Sequence, residues 1–184
     1  MKRLIQKLKE RRRKRGLKRL KSIPMTYGQY SLLYSVGAIT NHDYIVKHSE
    51  KPRRLCGRYM PSTLTHIRMG TFVEVMQCKD EIKLLKTIYN VTESELQNEW
   101  AQNVIGSIKW TIEQLESITE SFSQLEDGTK TDKQGNIFSA IDWYAQRMGI
   151  TNHDDVLKVP CLIIWQCAKE DQERRAKQLK NQKQ

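Results

Sequence analysis

The segment VIGSIKWTIEQLESITESFSQL, residues 104–125, is the longest stretch of the chain with one consistent hydrophobic period. Its apolar side chains recur every three or four residues, at Val104, Ile105, Ile108, Ile112, Leu115, Ile118, Phe122 and Leu125. At about 100° per residue they form a stripe roughly 160° wide, which predicts an amphipathic helix. Three glutamates fall on the opposite side: Glu113, Glu116 and Glu120. We therefore expect a long core helix that begins near Asn98 or Asn103 and ends near Leu125.

Capping residues upstream of this segment mark further helices. Thr92, followed three residues later by Glu95, has the spacing of a capping box. Asp80 stands in the N-cap position of an apolar helical period, and so does Thr26, whose helix is expected to end before Gly37. The upstream part of the chain is therefore predicted to form several short helices.

Downstream, two more helices follow a charged, glycine-containing surface loop over residues 127–135. One is predicted to start at Asn136 and to close at Gly149. The last helix is expected to open within residues 152–155, with Pro160 in its first turn. Its end, from residue 169 onward, is charged all round and is predicted to project into solvent or onto a neighbour.

Two upstream segments have weaker patterns. Residues 49–62 are polar, contain two prolines and a glycine, and are predicted to be the longest loop. Residues 72–76 are expected to form a short helix, with a strand over residues 68–75 as the alternative. The chain as a whole is predicted to be all-α, an irregular multi-helix domain built around a long central helix.

The positive charge of the chain is concentrated at its N-terminal end. The net charge is +11, from 32 basic and 21 acidic residues. Residues 1–22 hold one acid, Glu10, and twelve cations: Lys2, Arg3, Lys7, Lys9, Arg11, Arg12, Arg13, Lys14, Arg15, Lys18, Arg19 and Lys21. The other 162 residues therefore carry 20 basic and 20 acidic side chains. We interpret the chain as a basic arm (1–22), an electroneutral helical domain (23–168) and a charged helical extension (169–184).

The composition of the arm indicates a polyanion as its partner. Repulsion between neighbouring cations opposes a helix in isolation, so the arm is predicted to be disordered or partly helical until a partner orders it. It contains no aromatic residue on which a base would stack, which favours contacts to a phosphate backbone over reading of sequence. A solubilising tail, an acidic protein groove and an anionic lipid surface remain alternatives.

No motif for catalysis, phosphate cradling or metal binding is present, and we predict a non-enzymatic protein without cofactor or metal. The acids beside His42 and His153 are better explained by helix capping than by a metal site. A cysteine–histidine nucleophile pair has no local signature. The cysteines show no C-x-x-C spacing and are interpreted as reduced, small hydrophobes: Cys56, Cys78, Cys161 and Cys167.

Tryptophans are the remaining candidates for contact residues. Trp143 and Trp165 lie within apolar helical patterns and are expected in the core. Trp110 falls about 120° from the centre of its helix stripe. It marks either a surface for a partner or, the interpretation we favour, a second layer of packing within the chain.

The sequence contains no transmembrane candidate and no export signal, because the longest apolar run is five residues and the segment after the arm is too polar for a signal peptide. A protein that is not secreted is therefore expected.

The stretch DEIKLLKTIYNVTESEL, residues 80–96, resembles a run found in small tailed-phage proteins, including tail-assembly chaperones. The segments MGTFVEVM, residues 69–76, and ERRAKQL, residues 173–179, are also similar to that group. The resemblance implies a structural or assembly protein of a virion, located in the virion or the host cytoplasm, with no catalytic residue. The basic arm lies outside this pattern and suits a component that faces packaged DNA.

Three functional hypotheses follow from these observations. In the first, the chain is a phage structural or assembly protein whose helical domain binds other virion proteins in a homo- or hetero-oligomer, while its arm contacts DNA or another polyanion. In the second, it is a free-standing nucleic-acid-binding accessory or regulatory protein. An enzyme of unrecognised type is the third and least favoured alternative.

Overall fold

The computed structural model describes Arg11, residues 25–123 and residues 133–182, and this part of the chain is mostly helical. The all-α prediction is confirmed. The upstream elements are α1 (Tyr27–Ser35), α2 (His42–His48), β1 (Arg54–Leu55), β2 (Arg58–Tyr59), α3 (Met69–Met76), α4 (Glu81–Tyr89) and α5 (Glu93–Asn98). The downstream elements are α6 (Ala101–Ser123), α7 (Lys133–Met148), α8 (His153–Leu157) and α9 (Cys161–Gln182). No helix among these residues is long and apolar enough to cross a membrane.

Local side-chain hydrogen bonds explain where the upstream helices begin. Thr26 accepts a hydrogen bond from the backbone N–H of Gln29, and the Gln29 side chain accepts one from Thr26, which closes a capping box at α1. Thr92 and Glu95 form the same box at α5, and Asp80 caps α4 through two backbone N–H groups. All three predicted caps are confirmed. Each satisfies backbone donors that the first turn of a helix leaves without a partner.

The long helix is also confirmed. α6 spans 23 residues, and six members of the predicted stripe are buried in it: Val104, Ile105, Ile108, Leu115, Ile118 and Phe122. Ile112 is half-buried, Leu125 lies outside the described residues, and Ser107, Thr111 and Thr119 are buried as well, while the three glutamates on the opposite side are exposed. The described residues group into two compact units. The first unit comprises residues 25–61 and 80–112, and the second comprises residues 62–79, 113–123 and 133–182. The first half of α6 belongs to the first unit and its second half to the second unit. The boundaries predicted after residues 22 and 168 stay predictions, although α9 runs without a break across residue 168.

The core of the first unit forms where α1 and α2 pack on the beginning of α6. Tyr30, Ile45, Ala101 and Ile105 are buried together there. Backbone hydrogen bonds tie the start of α1 to the start of α6, because Tyr27 N donates to Glu99 O at 2.8 Å and Ala101 N donates to Met25 O at 3.0 Å. These bonds place the segment that follows the basic arm next to the long helix.

The second unit has its own core, centred on α3 and the second half of α6. The Phe72 and Phe122 rings lie 6.4 Å apart, and both are buried with Ile164 of α9. A short bridge pairs Arg68 with Pro160 in antiparallel fashion. The backbone of the α3 segment is therefore held against the start of α9.

Three local predictions were wrong. The predicted loop over residues 49–62 contains the antiparallel pair β1–β2. The segment expected to form one last helix from residue 152 forms two, α8 and α9. Pro160 lies between them, and it lacks the N–H that the interior of a helix needs and bridges to Arg68 instead. α7 begins at Lys133, three residues before the predicted start; residues 127–132 of the predicted loop lie outside the described part. The short helix predicted for residues 72–76 is confirmed as part of α3, and the strand alternative over residues 68–75 is wrong.

The tryptophans predicted for the core are less buried than expected. Trp143 and Trp165 are both half-buried. The indole Nε1 of Trp165 donates to the backbone carbonyl of Ser121 at 3.2 Å, so the polar edge of the ring has a partner within the second unit. A tryptophan whose N–H must find an acceptor commonly lies at the margin of a core, and that constraint is invisible in a hydrophobic pattern.

Candidate polyanion interface

Most of the predicted basic arm lies outside the described residues. Of its twelve cations only Arg11 is described, and its side chain is exposed. The assignment of the other eleven to polyanion binding stays a prediction from the sequence.

Trp110 packs within the first unit. Its side chain is half-buried, and the Lys51 ammonium lies 3.8 Å from the centre of its ring. The same ammonium donates to the carbonyl of Pro61, and burial lowers the pKa of Lys51. This cation–π contact is the intramolecular packing that the sequence favoured for Trp110. A partner role for its remaining exposed surface stays a prediction.

The pair β1–β2 forms a small hairpin that the sequence prediction missed. Arg54 pairs with Tyr59 and Leu55 pairs with Arg58. The two turn residues, Cys56 and Gly57, have φ values of 49° and 77°. Two consecutive positive φ values are typical of a type I′ turn, whose twist matches that of the two strands it joins. Glycine is favoured at such positions. We call residues 53–59 the arginine hairpin.

Contacts to α5 and to the residue that follows it hold the arginine hairpin in the first unit. The backbone N–H of Cys56 donates to the Glu99 carboxylate at 2.7 Å, and Arg58 pairs with Glu95 at 3.1 Å. Leu55 is buried to 1% exposure. One apolar side chain and two carboxylates therefore fix the inner side of a segment too short to fold by itself.

The outer side of the arginine hairpin is cationic and aromatic. Tyr59 is 61% exposed. The Arg54 guanidinium lies 4.1 Å from the centre of the Tyr59 ring and donates to its hydroxyl, and the Arg53 guanidinium lies 5.7 Å from the same ring. Within residues 25–123 and 133–182, no carboxylate forms an ion pair with Arg53 or Arg54. Two exposed guanidinium groups therefore retain their charge for an external anion.

The loop that leads into the hairpin is seated closely against α6. Gly106 leaves room for the backbone carbonyl of Glu50, and the Lys109 ammonium donates to the carbonyls of Lys47 at 2.8 Å and Ser49 at 3.2 Å. These contacts position the chain immediately before Arg53.

The histidines considered as metal ligands, His42 and His153, contact other side chains of the chain. Within the described ranges, no three His, Cys, Asp or Glu side chains come together as a metal site would require. His42 Nδ1 lies 2.9 Å from the Tyr30 hydroxyl, and His153 pairs with Asp142 at 2.9 Å. The residue that caps α8 is Asn152, while the acids next to His153 lie in the first turn of that helix.

The four cysteines all lie in the described part of the chain, and no disulfide joins any of them. Cys161 is buried, as the sequence interpretation expected, while Cys56, Cys78 and Cys167 are half-buried. Burial raises the pKa of Cys161 to about 12, and burial together with Glu99 raises the pKa of Cys56 to about 11. Both thiols are therefore protonated at neutral pH, which is the less nucleophilic form.

No family model, curated protein or solved structure matches this chain. The resemblance to small tailed-phage proteins therefore stays a hypothesis from the sequence.

Proposed function

We propose that this chain is a non-enzymatic phage virion or assembly protein that binds other structural proteins and contacts DNA or another polyanion with its basic arm. The observation that carries the proposal is the concentration of all the surplus charge in residues 1–22. The described residues of the first unit hold eight basic and seven acidic side chains, and those of the second unit hold ten of each. The folded units thus lack the large net charge that would attract a polyanion over a long range.

An arm of this composition binds a polyanion mainly by counterion release. Each phosphate that a cation neutralises frees condensed ions, so the affinity falls steeply with salt concentration. Such contacts give affinity and rapid association but little sequence preference. This behaviour suits a protein that must hold packaged or transiting DNA wherever it meets it.

Binding to other proteins is supported by apolar side chains on the surface of the first unit. Leu32 and Val36, within and directly after α1, are 65% and 68% exposed, and Trp100 is 54% exposed. Exposed aromatic and aliphatic side chains are common at protein interfaces, where tryptophan often contributes much of the binding energy. These residues are our candidates for contacts to neighbouring proteins of an assembly.

The arm is tested by removing part of its charge from the full-length protein. In one variant the run from Arg11 to Arg15 is replaced by five glutamines. In the control variant, five exposed cations of α9 are replaced by glutamine: Lys169, Arg174, Arg175, Lys177 and Lys180. Both variants lose the same formal charge.

Binding to a 30-base-pair DNA duplex is measured by fluorescence anisotropy at several salt concentrations. Because each duplex phosphate contact contributes ~0.9 to the slope of log affinity against log salt, the arm variant should lose up to about 4.5 in slope. The control variant should keep the wild-type slope. Equal losses in both variants would show that net charge alone controls binding and would remove the arm from the proposal.

The second candidate is a free-standing nucleic-acid-binding accessory protein. It is favoured by the two guanidinium groups of the arginine hairpin, which give the folded part an anion-facing surface of its own. Sedimentation of the protein with its natural neighbours separates the two. A defined ring or co-sedimentation with particles supports the assembly role, and a monomer that binds only DNA supports the accessory role.

A further inference from the structure

The arginine hairpin presents a cationic surface that the role of the arm does not explain. Its exposed side chains are Arg53, Arg54, Arg58 and Tyr59. Arg58 is paired with Glu95, so its charge is largely neutralised. Arg53 and Arg54 are adjacent in sequence, and both guanidinium groups lie near the Tyr59 ring. Neither has a carboxylate partner among the described residues. The hairpin therefore concentrates two available cations around one aromatic ring.

The composition of this surface favours nucleic acid over a protein partner. The one aliphatic side chain of the hairpin, Leu55, is buried inward, and the exposed part offers a single ring together with guanidinium groups. Protein interfaces rely on an apolar centre from which charged residues are depleted. Nucleic-acid interfaces are more polar and strongly positive, and most of their hydrogen bonds go to phosphate and sugar.

Tyr59 gives the adjacent arginine a defined orientation. The Arg54 guanidinium stacks on the ring at 4.1 Å while one of its N–H groups is engaged by the ring hydroxyl. A guanidinium has five N–H donors in one plane and binds a phosphate through two of them. With one N–H held by Tyr59, the other donors remain for a phosphate, and the arginine loses less rotational freedom when it binds.

We propose that the arginine hairpin binds the phosphodiester backbone of a nucleic acid, with Arg53 and Arg54 contacting phosphates and Tyr59 acting as a positioning residue. This inference rests on the proposed function in taking the partner to be a polyanion, and it identifies that polyanion as nucleic acid. It also gives the folded part of the chain a contact that is separate from the arm.

The proposal is tested in the full-length protein with R53Q/R54Q. The matched control is R174Q/R175Q, which removes an adjacent, exposed arginine pair from α9. On a 30-base-pair duplex, R53Q/R54Q should reduce the salt slope by up to about 1.8 and weaken binding at low salt roughly tenfold or more. The control should bind as the wild type does.

Two other anions show whether the hairpin prefers nucleic acid. Polyglutamate stands for an acidic protein surface, and phosphatidylcholine vesicles with phosphatidylserine stand for a membrane. Relative to its control, R53Q/R54Q should lose more affinity for DNA than for either of these. Equal binding of DNA by the two double variants, or a loss on polyglutamate or vesicles as large as that on DNA, would overturn the inference.

The role of Tyr59 is tested with Y59L and Y59F. Y59L removes the stacking surface without removing a cation, so DNA affinity should fall severalfold while the salt slope stays unchanged. Y59F keeps the ring but loses the hydroxyl that accepts from Arg54, so it should recover the part of the affinity that stacking supplies and bind DNA more tightly than Y59L. Because the side chain is largely exposed, thermal unfolding of both variants should match that of the wild type. Wild-type DNA affinity in Y59L would eliminate Tyr59 as a positioning residue.

The two proposals fail in different ways. If the five-glutamine arm variant binds DNA as tightly as the wild type while R53Q/R54Q does not, the arm proposal is wrong and the hairpin inference stands. If only the arm variant is weakened, the hairpin inference is wrong.

Discussion

The contact between Gly106 and the Glu50 carbonyl predicts that Gly106→Ala destabilises the protein, although helix propensity alone would make alanine the more stable residue. Gly106 lies in the interior of α6, where alanine is normally more stable than glycine by about 1 kcal/mol. A Cβ atom at this position would lie 2.0 Å from the Glu50 carbonyl oxygen and 2.9 Å from its carbon. Both atoms belong to the backbone, so no side-chain rotation relieves the clash.

The magnitude follows from how far the loop must move. Ordinary contact begins at 3.4 Å, so the Glu50 carbonyl must retreat by about 1.4 Å to admit a methyl group. Lys109 resists this movement through its hydrogen bonds to Lys47 and Ser49, each of the kind that contributes about 1.5–3 kcal/mol when one partner is charged. Overpacking typically costs about 1–3 kcal/mol and sometimes more. Because the clashing atoms are backbone and two hydrogen bonds hold the loop, we take the cost at the upper end of this range, about 3 kcal/mol. Subtracting the propensity gain of about 1 kcal/mol, we expect Gly106→Ala to lower the free energy of unfolding by about 2 kcal/mol.

Urea denaturation followed by circular dichroism measures this change, with Gly28→Ala as the matched control. At Gly28 the nearest atom to a new Cβ is the Gln97 side-chain oxygen at 2.6 Å, the end of a flexible side chain that can rotate away. The backbone carbonyl oxygen of Gln97 lies at 3.3 Å and needs to move by only about 0.1 Å to reach ordinary contact, against about 1.4 Å for Glu50. Gly28→Ala should therefore be close to neutral. A Gly106→Ala protein as stable as the wild type, or more stable, would show that the loop over residues 47–52 is not seated on α6, and the reasoning would be refuted.

The remaining predictions concern the capping box of α5 and the buried thiol of Cys161. Thr92→Ala should lower the free energy of unfolding by about 1 kcal/mol, because the N–H of Glu95 loses its acceptor at 3.2 Å, while Thr92→Ser should stay near the wild type in the same denaturation assay. Hydrogen bonds to the Thr92 backbone and side chain, with Arg58, lower the pKa of Glu95. The ionised Glu95 therefore stabilises the fold above its usual pKa of 4.5, and this stabilisation is lost as the pH falls through the lowered pKa. In Glu95→Gln, the free energy of unfolding should consequently depend less on pH in this acidic range. Burial raises the pKa of Cys161 to about 12. In the native protein Cys161 should therefore resist iodoacetamide at pH 8, and it should react after unfolding, as measured by mass spectrometry. The stability that the buried, protonated thiol contributes should be lost as the pH rises from about 9 towards 12. Native-state labelling of Cys161 as fast as in the unfolded chain would contradict its burial.

The features that the sequence predicted correctly are those with local causes. The capping box at Thr92 depends on two side chains three residues apart, and the α6 stripe depends on spacing within one element. Such patterns can be read from neighbouring residues because the hydrogen bonds or the buried face lie within the same helix.

The features that the sequence missed have distant causes. The arginine hairpin depends on Glu99, which accepts from the backbone of Cys56 across 43 residues, and on burial of a single leucine. Two-residue strands have no period to detect, and three arginines within six residues resemble a solvated loop. The one local signal was Gly57, because glycine readily adopts the positive φ that the second position of this turn requires. The break between α8 and α9 has a local signal in Pro160, which cannot donate the hydrogen bond of a helix interior; only its pairing with Arg68 is distant in sequence.

Gly106 connects the stability of the first unit to its proposed contact with nucleic acid. The carbonyl that Gly106 admits belongs to Glu50, three residues before Arg53, so we expect a displacement of this loop to shift Arg53 and Arg54 as well. Gly106→Ala changes no charge. If the placement of Arg53 and Arg54 matters, this substitution should weaken DNA binding under conditions where the protein remains folded, and the salt slope should change less than in R53Q/R54Q. Unchanged DNA affinity in a folded but destabilised Gly106→Ala protein would mean that the cations act only through their number, and that the geometry of the hairpin contributes nothing.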